Sequence, residues 1–301
     1  MKRFNIITNL TNGVGLQREY EILRDVLASA GHAVTGVHFQ HTVGCPQADV
    51  NLFLETVVPS VFGAAPENWV MPNPEWWLDE YQRSMPNLTR VLCKTRHAYD
   101  LFRVLAGDRA CYVGFMSRDL YQPDIERKPR FLHLAGNSQI KNTEVILKAW
   151  KKLPYRLTVV SPHFHREASK LRHVKVYDRV SEEKLRQLMN SRQFHLCPSK
   201  YEGFGHYIHE ALGVGAVVIT SDAPPMNELG LPSELLVPST PGVMLRLVRL
   251  HDVTPQAVID RVKHVVQLSS SRIQEISRAA RANFEQERAN FRACFLEVAN
   301  A

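Results

Sequence analysis

The sequence contains no low-complexity segment and no apolar run close to the roughly 20 residues that a membrane-spanning helix requires. Its N-terminus, MKRFNIITNLTNG, has an apolar stretch interrupted by Asn5 and Asn9, which is too short for a secretory signal and predicts a first strand. Cysteines are few, odd in number and without zinc-ligand spacing: Cys45, Cys93, Cys111, Cys197 and Cys294. We therefore predict free thiols in a cytoplasmic protein.

Acidic residues are too few in the second half of the chain to balance its basic ones. Residues 1–125 contain 11 Lys or Arg and 13 Asp or Glu (net −2), whereas residues 126–301 contain 26 and 17 (net +9). A basic half favours an anionic partner: an anionic ligand, a nucleic acid or an acidic membrane surface. The length of 301 residues and the hydrophobic content of 45% exclude disorder and favour two domains.

Short β-rich runs alternate with helical patterns along the whole chain. The predicted strands are FNIITN, AVTGVHF, VNLFLET, NWVMP, RVLCKT and ACYVGF in the first half, and FLHLAG, RLTVVSP, VKVYD, FHLCPS and AVVITSD in the second. Near-continuous apolar strands are typical of parallel sheets that are covered on both faces. The predicted helices are LQREYEILRDVLASAG, ending at Gly31, and VILKAWKKL, SEEKLRQLMNS and HYIHEALGV.

A polar segment with two prolines, YQPDIERKPR, predicts the linker between two domains, residues 1–125 and 126–301. Both halves follow a β-α-β-α order, so the predicted fold class is α/β, with two Rossmann-like domains that face each other across a cleft. Ser271 and Gln274 have capping-box spacing, and the tail from Ser271 to Asn300 predicts one long C-terminal helix.

The stretch PSKYEGFGHYIHEALGVGAVVITSD contains two glutamates around a glycine-rich turn between a strand and a helix. Parallel sheets bind ligands beyond the carboxyl ends of their strands, and Gly203 and Gly205 let the backbone approach a ligand closely. The start of the helix offers N–H groups to an anion. Glu202 would lie beside that anion, and Glu210 about one helical turn further on could accept hydrogen bonds from a ribose. This arrangement predicts a nucleotide-sugar site; the alternative is that the glycines only serve the turn.

Two further segments favour an anion. Lys141, in NSQIKNTEVILKAW, follows a strand and precedes a helix, which is a natural place for a cation that faces a diphosphate. Gly13 and Gly15, in TNLTNGVGLQ, lie in the turn after the first strand and would point at the same anion across the cleft. That turn lacks the third glycine of a dinucleotide fingerprint.

The glutamate-containing segment resembles the E-x7-E signature of family 4 retaining glycosyltransferases of the GT-B fold. The resemblance extends through LHLAGNSQIKNTEVILKAW, VSEEKLRQLMNS and PSKYEGFG, so it covers most of residues 130–240. In the first half it is loose and consists of the glycine turn, the strand order and SRDLYQP. The resemblance implies a hexosyltransferase-type enzyme that retains anomeric configuration, uses a nucleotide-diphosphate sugar as substrate, and needs neither a metal nor a cofactor.

The resemblance also implies roles for individual residues. Glu202 would bind hydroxyls of the transferred sugar, and Lys141 would stabilise the leaving diphosphate, so both are the predicted catalytic residues. The donor-binding residues implied in this way are Gly13, Gly15, Asn137, Lys141, Arg179, Val180, Gly203, Phe204, Gly205 and Glu210. Arg179 and Val180 would lie beside the base, and Glu210 would hold the ribose.

The sequence departs from the family pattern at several positions. Asn137 follows Gly136 where relatives usually have an arginine, so stabilisation of the diphosphate would depend more on Lys141. Glu55 stands where relatives often have a histidine, and Glu55 and Lys94 are therefore candidate acceptor contacts; an ordinary salt-bridged or solvent-facing role is the alternative for each. The chain is also short for the family, mostly in the first domain.

These observations leave three functions. The first is a glycosyltransferase whose unknown acceptor is a surface glycan or a lipid-linked molecule. The second is an inactive nucleotide-sugar-binding partner subunit, and the third is a glycosyltransferase that acts on DNA bases. The basic half keeps open a peripheral contact with an anionic membrane or with DNA. Nothing in the sequence predicts an obligate protein partner.

Overall fold

A computed structural model describes residues 1–11, 13 and 15–301 of the chain. The chain divides into two compact units: unit 1 comprises Met1–Met116, Leu245–Val248 and Glu287–Ala301, and unit 2 comprises Ser117–Met244 and Arg249–Gln286. The predicted linker, residues 121–130, therefore lies inside unit 2. Two segments of unit 1, Leu245–Val248 and Glu287–Ala301, come from residues 126–301, which were predicted to form the second domain.

Unit 1 is built on a six-stranded parallel sheet. Its elements are β1 (Arg3–Thr8), α1 (Gly15–Ser29), β2 (Ala33–His38), β3 (Val50–Leu54), β4 (Glu67–Met71), α2 (Asp79–Ser84), β5 (Arg90–Cys93), α3 (Arg96–Ala106) and β6 (Ala110–Tyr112). The strand order is β2-β1-β3-β4-β5-β6, and every pair is parallel. All six predicted strands are confirmed. β3 is buried along its whole length, as expected for a central strand covered on both faces.

Unit 2 repeats this arrangement with a second six-stranded parallel sheet. Its first elements are β7 (Lys128–Leu134), α4 (Thr143–Trp150), β8 (Leu157–Val160), α5 (His165–Ala168), β9 (Val174–Tyr177), α6 (Glu182–Ser191), β10 (Arg192–Cys197), α7 (His206–Gly213) and β11 (Val217–Ser221). The later elements of the chain are β12 (Leu236–Val237), β13 (Ser239–Leu245), β14 (Val248–Val253), α8 (Pro255–Val265) and α9 (Ser270–Asn300), of which the residues within Leu245–Val248 and Glu287–Ala301 belong to unit 1. The strand order is β12-β11-β10-β7-β8-β9, so β7 and β10 are neighbours at the centre.

Stacked aromatic side chains fill the core of unit 2. The ring centroids of Phe131 on β7 and Phe194 on β10 are 4.8 Å apart, and Trp150 of α4 packs edge-on against Phe131 at 5.2 Å. Burial of side chains of this size contributes about 1.5–3 kcal/mol each. The fully buried His133 adds a polar link, because its ring nitrogens lie 2.7 Å from the Leu196 carbonyl and 2.9 Å from the Thr143 hydroxyl. These contacts hold β7, β10 and α4 in a fixed arrangement beneath the loops that follow them.

The predicted C-terminal helix is present as α9, but its predicted cap is wrong. The hydroxyl of Ser269, not that of Ser271, accepts the N–H of Arg272 at 3.2 Å, so the helix begins at Ser270. Residues 270–286 of α9 belong to unit 2 and Glu287–Ala301 to unit 1. Helices α3 and α8 and the β13–β14 hairpin were not predicted. Among the described residues, no helix is long and apolar enough to cross a membrane.

Candidate functional site

The loops after β7 and β10 form one layer at the carboxyl end of the unit 2 sheet. Because β7 and β10 are adjacent, the loops that leave them run side by side. The N–H of Lys200 donates to the Ile140 carbonyl at 2.8 Å, and the buried amide of Asn142 donates to the Pro198 carbonyl at 2.7 Å. The sequence segments that were predicted to bind a diphosphate and a sugar are thereby joined by hydrogen bonds.

Helix α7 begins directly after the glycine-rich turn. Gly205 is its N-cap and has φ +85°, a left-handed conformation that suits glycine. A Cβ at this position would lie 3.3 Å from Cγ of Glu202, so the turn also leaves room for that side chain. The N–H groups of the first helical turn bring partial positive charge to the same place.

Glu202 is partly buried in this turn. Its Oε1 accepts a hydrogen bond from the Ser199 hydroxyl at 2.6 Å. Burial raises the pKa of the Glu202 carboxyl, while the Lys141 ammonium and the Ser199 hydrogen bond oppose that rise.

Lys141 has two contacts within unit 2 that fix its side chain. Its Nζ donates to the Leu134 carbonyl at 3.2 Å and lies 3.8 Å from the centroid of the Tyr207 ring. A cation above an aromatic ring is stabilised by the negative face of the ring. Lys141 thus contacts Tyr207 in the first turn of α7, and Glu202 is linked to the same tyrosine through Ser199.

Glu210 is buried on α7, with only 2% of its surface exposed. Its Oε1 lies 3.3 Å from Nε of Arg118, and Nη1 of the same guanidinium lies 2.6 Å from Oε1 of Glu182. Arg118 thus bridges the predicted ribose-binding carboxylate and the first turn of α6. Among the residues that the structure describes, the buried Nη2 of Arg118 has no hydrogen-bond partner.

The other predicted donor-binding residues of unit 2 differ in how deeply they are buried. Gly203 and Phe204 are buried, and the Phe204 ring stacks on His209 with centroids 3.9 Å apart. Asn137 and Arg179 are exposed, and Val180 packs partly buried against the cluster around Leu132. Within the described residues, no group of three or more His, Cys, Asp or Glu side chains could hold a metal ion.

In unit 1, the predicted glycine turn is only partly described. Gly13 has φ +68° and donates its N–H to Oε1 of Gln17 at 3.1 Å, and Gly15 is the first residue of α1. Asn12 and Val14, the other residues of this predicted turn, lie outside the described residues.

The two acceptor candidates follow strands β3 and β5 of unit 1, which β4 separates, and they have different surroundings. Glu55 comes directly after β3, is partly buried, has φ +64° and accepts a hydrogen bond from Asn73 at 2.6 Å. Burial raises the pKa of Glu55, and the amide of Asn73 and the charge of Lys94 oppose this. The ammonium of Lys94 is 2.7 Å from Oε1 of Glu19 in an ion pair whose side chains are 1% and 5% exposed.

Sequence reasoning missed three residues of the candidate site: Arg118, Ser199 and Tyr207. Ser199 and Tyr207 lie inside the glutamate-containing segment, and their hydroxyl groups could have identified them as candidate hydrogen-bonding residues of the site. Arg118 is 92 residues from Glu210 in the chain, and no local pattern relates the two. Its segment SRDLYQP had only a loose resemblance to the family.

Comparisons with known proteins match the segment that contains the candidate site. Residues 128–252, which include Lys141, Glu202 and Glu210, match the family model described as Glycosyl transferases group 1. Over 49 residues, the sequence is 47% identical to GDP-mannose:cellobiosyl-diphosphopolyprenol alpha-mannosyltransferase of Xanthomonas oryzae pv. oryzae (strain PXO99A). That match spans 16% of this chain and only 13% of the curated relative.

Solved glycosyltransferase structures have the same fold over nearly the whole chain. HepE of Anabaena in complex with UDP and glucose is 15% identical, with 100% of each chain covered and a TM-score of 0.77. A glycosyltransferase from Rickettsia africae is 12% identical, with 98% and 97% covered and a TM-score of 0.73. The chain also spans 58% of a chain in the GtfA/B complex. The two parallel sheets thus have the two-domain α/β fold of GT-B glycosyltransferases, and residues 128–252 match the group 1 family model.

Proposed function

We propose that this protein is a retaining glycosyltransferase that transfers a hexose from a nucleotide-diphosphate sugar without a metal ion. The observation that supports this most directly is that the loop with Lys141 contacts both the loop with Glu202 and the start of α7, the helix that contains Glu210. All three residues lie inside the segment that matches group 1 glycosyltransferases. A cation, a sugar-binding carboxylate and a ribose-binding carboxylate are the groups that such a donor needs.

In the proposed reaction, Lys141 stabilises the negative charge that develops on the leaving diphosphate. Its ammonium is already held by the Leu134 carbonyl and the Tyr207 ring, so little reorganisation is needed when the charge appears. The backbone of Gly203, Phe204 and Gly205, at the start of α7, lies next to the sugar–phosphate junction. The acceptor attacks the front face of the sugar, and the leaving phosphate helps to remove the proton of the acceptor.

Glu202 would bind hydroxyls of the transferred sugar as a carboxylate. The hydrogen bond from Ser199 leaves its other oxygen for the sugar. Burial raises the pKa of Glu202, so loss of the carboxylate form should limit transfer at low pH. Glu210 would accept the ribose hydroxyls, and Arg179 and Val180 would lie beside the base.

The relatives suggest which donors to test first. The curated relative is named for GDP-mannose and for a diphosphopolyprenol acceptor, and HepE was solved with UDP and glucose. We propose GDP-mannose as the first donor and UDP-glucose as the second. A lipid-linked or surface-glycan acceptor agrees with these names.

For the acceptor side, we propose that Glu55 of unit 1 contacts the acceptor. A glutamate with positive φ is uncommon and costs of order 1 kcal/mol, and such strain is concentrated at functional sites. The hydrogen bond from Asn73 orients the Glu55 carboxylate. The positive charge of Lys94, which is buried in the pair with Glu19, lowers the pKa of the same carboxylate. Lys94 would therefore support Glu55 without touching the acceptor.

A nucleotide-sugar-binding subunit without transferase activity is the second candidate function. The exposed Asn137, in the position where an arginine was expected, supports it, because the diphosphate then has one fewer cation. Retention of Lys141, Glu202 and Glu210 favours the transferase. Turnover of the donor, and not its binding, separates the two candidates.

The test is thermal stabilisation by GDP, UDP, GDP-mannose and UDP-glucose, followed by donor turnover in the presence of EDTA. One nucleotide should raise Tm saturably, and the shift should be lost in Glu210→Ala and Lys141→Ala. Lys148→Ala, which removes a half-exposed lysine of α4, is the matched control and should keep the shift. Binding with donor turnover supports the transferase, and binding without turnover supports the subunit. No shift at millimolar concentrations would refute both.

A further inference from the structure

The Ser199 hydroxyl lies between two groups of the candidate site. Its Oγ is 2.6 Å from Oε1 of Glu202 and 2.5 Å from the hydroxyl oxygen of Tyr207. Ser199 has no exposed surface, and Tyr207 is 7% exposed. The three side chains therefore form a short hydrogen-bonded chain from the first turn of α7 back to the loop after β10.

The number of available protons determines which group donates and which accepts in each of these hydrogen bonds. A serine hydroxyl has one proton, and Ser199 donates it to the Glu202 carboxylate. The contact between Ser199 and Tyr207 must then use the phenolic proton of Tyr207. Burial raises the pKa of Tyr207 well above its usual value, so the phenol keeps this proton throughout the neutral range.

The ring of Tyr207 has a second contact, with Lys141. The ammonium lies 3.8 Å from the ring centroid, on the loop after β7. One side chain thus contacts the cation that would face the diphosphate directly, and is linked through Ser199 to the carboxylate that would bind the sugar. The backbone of Ser199 is fixed as well, because its carbonyl accepts from the Ser221 hydroxyl at 2.6 Å.

We propose that Tyr207 is a positioning residue, which directs the Ser199 hydroxyl toward Glu202 and supports the Lys141 ammonium through its ring. This inference rests on the proposed donor site. It adds to that site a residue that acts through its neighbours and does not touch the donor. Its hydroxyl and its ring have separate effects, which substitutions can distinguish.

A double-mutant cycle tests the effect of the hydroxyl. Tyr207→Phe should lower kcat about 3- to 10-fold, the size expected for one buried hydrogen bond, with the donor KM within about twofold. In a Ser199→Ala background, the same substitution should change kcat less than about twofold, because the Ser199 hydroxyl that Tyr207 directs is no longer present. Tyr155→Phe removes a partly buried phenol elsewhere in unit 2 and should leave kcat unchanged.

A second measurement does not depend on turnover. The Glu202 carboxyl of the ligand-free protein can be titrated by carbon-13 NMR in the wild type and in Tyr207→Phe. Besides Ser199, the charged or titratable groups that act on it are Lys141, His206 and His209, which the substitution leaves in place. The hydrogen bond from Ser199 lowers the pKa of Glu202, so weakening it should raise that pKa further.

Tyr207→Leu separates the ring from the hydroxyl. Compared with Tyr207→Phe, it should raise the donor KM a further 3- to 10-fold, roughly the value of a partly desolvated cation–π contact. Additive effects of Tyr207→Phe and Ser199→Ala on kcat, or an unchanged Glu202 pKa in Tyr207→Phe, would overturn the inference. Absence of donor turnover by the wild type would instead count against the transferase, while the titration would still decide whether Tyr207 acts on Glu202.

Discussion

Arg118 and Glu210 are 92 residues apart in the chain, yet Nε of Arg118 lies 3.3 Å from Oε1 of Glu210. The carboxylate is nearly inaccessible, whereas the guanidinium is 28% exposed and reaches outward to Glu182. A buried carboxylate that is proposed to bind ribose is therefore stabilised by a neighbouring cation. The same cation restrains the first turn of α6, which is next to the proposed base site.

Replacement of Arg118 should affect both stability and donor binding. Arg118→Gln removes a charged hydrogen bond from a buried carboxylate, so the free energy of unfolding should fall by about 1–3 kcal/mol in urea denaturation. Glu182→Gln breaks only the more exposed contact of Arg118 and should lower the free energy of unfolding by less than about 1 kcal/mol. Donor affinity should fall more in Arg118→Gln than in Glu182→Gln. Equal effects of the two substitutions on both quantities would show that the contact with Glu210 has no special role.

The Lys94–Glu19 pair of unit 1 gives a prediction about stability alone. Lys94→Met leaves the Glu19 charge buried without its cation and should lower the free energy of unfolding by about 3–5 kcal/mol. Adding Glu19→Leu to Lys94→Met should recover most of this loss, because no buried charge then remains. Arg3→Met, which breaks the exposed pair with Asp49, is the control and should cost less than about 1 kcal/mol. A Lys94→Met variant as stable as the wild type would contradict the prediction.

Much of the fold and part of the site could be predicted because the relevant patterns are local. Strands β1 to β11 coincide with short segments rich in apolar and β-branched residues, and a parallel sheet places the loops that follow neighbouring strands at the same edge. That rule is sufficient to bring Lys141 toward Glu202, and the seven residues between Glu202 and Glu210 place both around one helix start.

The rest depends on contacts that no short segment determines. The pairs Arg118–Glu210 and Lys94–Glu19 join residues 92 and 75 positions apart, and each partner alone resembles an ordinary surface charge. Helix α3 has its buried Ala98, Phe102 and Ala106 at helical spacing, but the polar residues between them weakened the pattern. The β13–β14 hairpin contains proline and glycine, so its segment was not predicted to form strands.

Two buried histidines should make unit 2 unstable in acid. Burial lowers the pKa of His133 to about 4 and that of His195 to about 3, from an ordinary value near 6.5. Below pH 6.5 the unfolded chain takes up protons that the folded chain excludes, so stability is lost as the pH falls from 6.5 toward 4. Each histidine should contribute a slope of about 1.4 kcal/mol per pH unit.

The contribution of His195 can be isolated by substitution. His195→Gln keeps a donor for the Met189 carbonyl, which the ring approaches at 3.0 Å, but it cannot titrate. Urea denaturation between pH 4 and 7 should show that its stability falls less steeply than that of the wild type, by about 1.4 kcal/mol per pH unit. His173→Gln, at an exposed position, is the control and should keep the wild-type slope. Parallel curves for wild type and His195→Gln would refute the assignment.

Gly205 should be more sensitive to substitution than its backbone conformation alone explains. In Gly205→Ala, the positive φ should cost about 1–2 kcal/mol of the free energy of unfolding. The new Cβ would also lie 3.2 Å from Cδ1 of Ile208 and 3.3 Å from Cγ of Glu202. Since Ile208 is buried, the side chain that can move is Glu202, and transfer should fall by at least about tenfold.

Gly31→Ala separates these two effects. Gly31 also has a positive φ, +81°, but a Cβ there would meet no atom within 4 Å. Both alanine variants should therefore lose a similar amount of stability in urea, while only Gly205→Ala loses transfer activity measured at a temperature where both are folded. If the two variants kept equal activity, the position of Glu202 would not limit the reaction, and its proposed contact with the sugar would have to be abandoned.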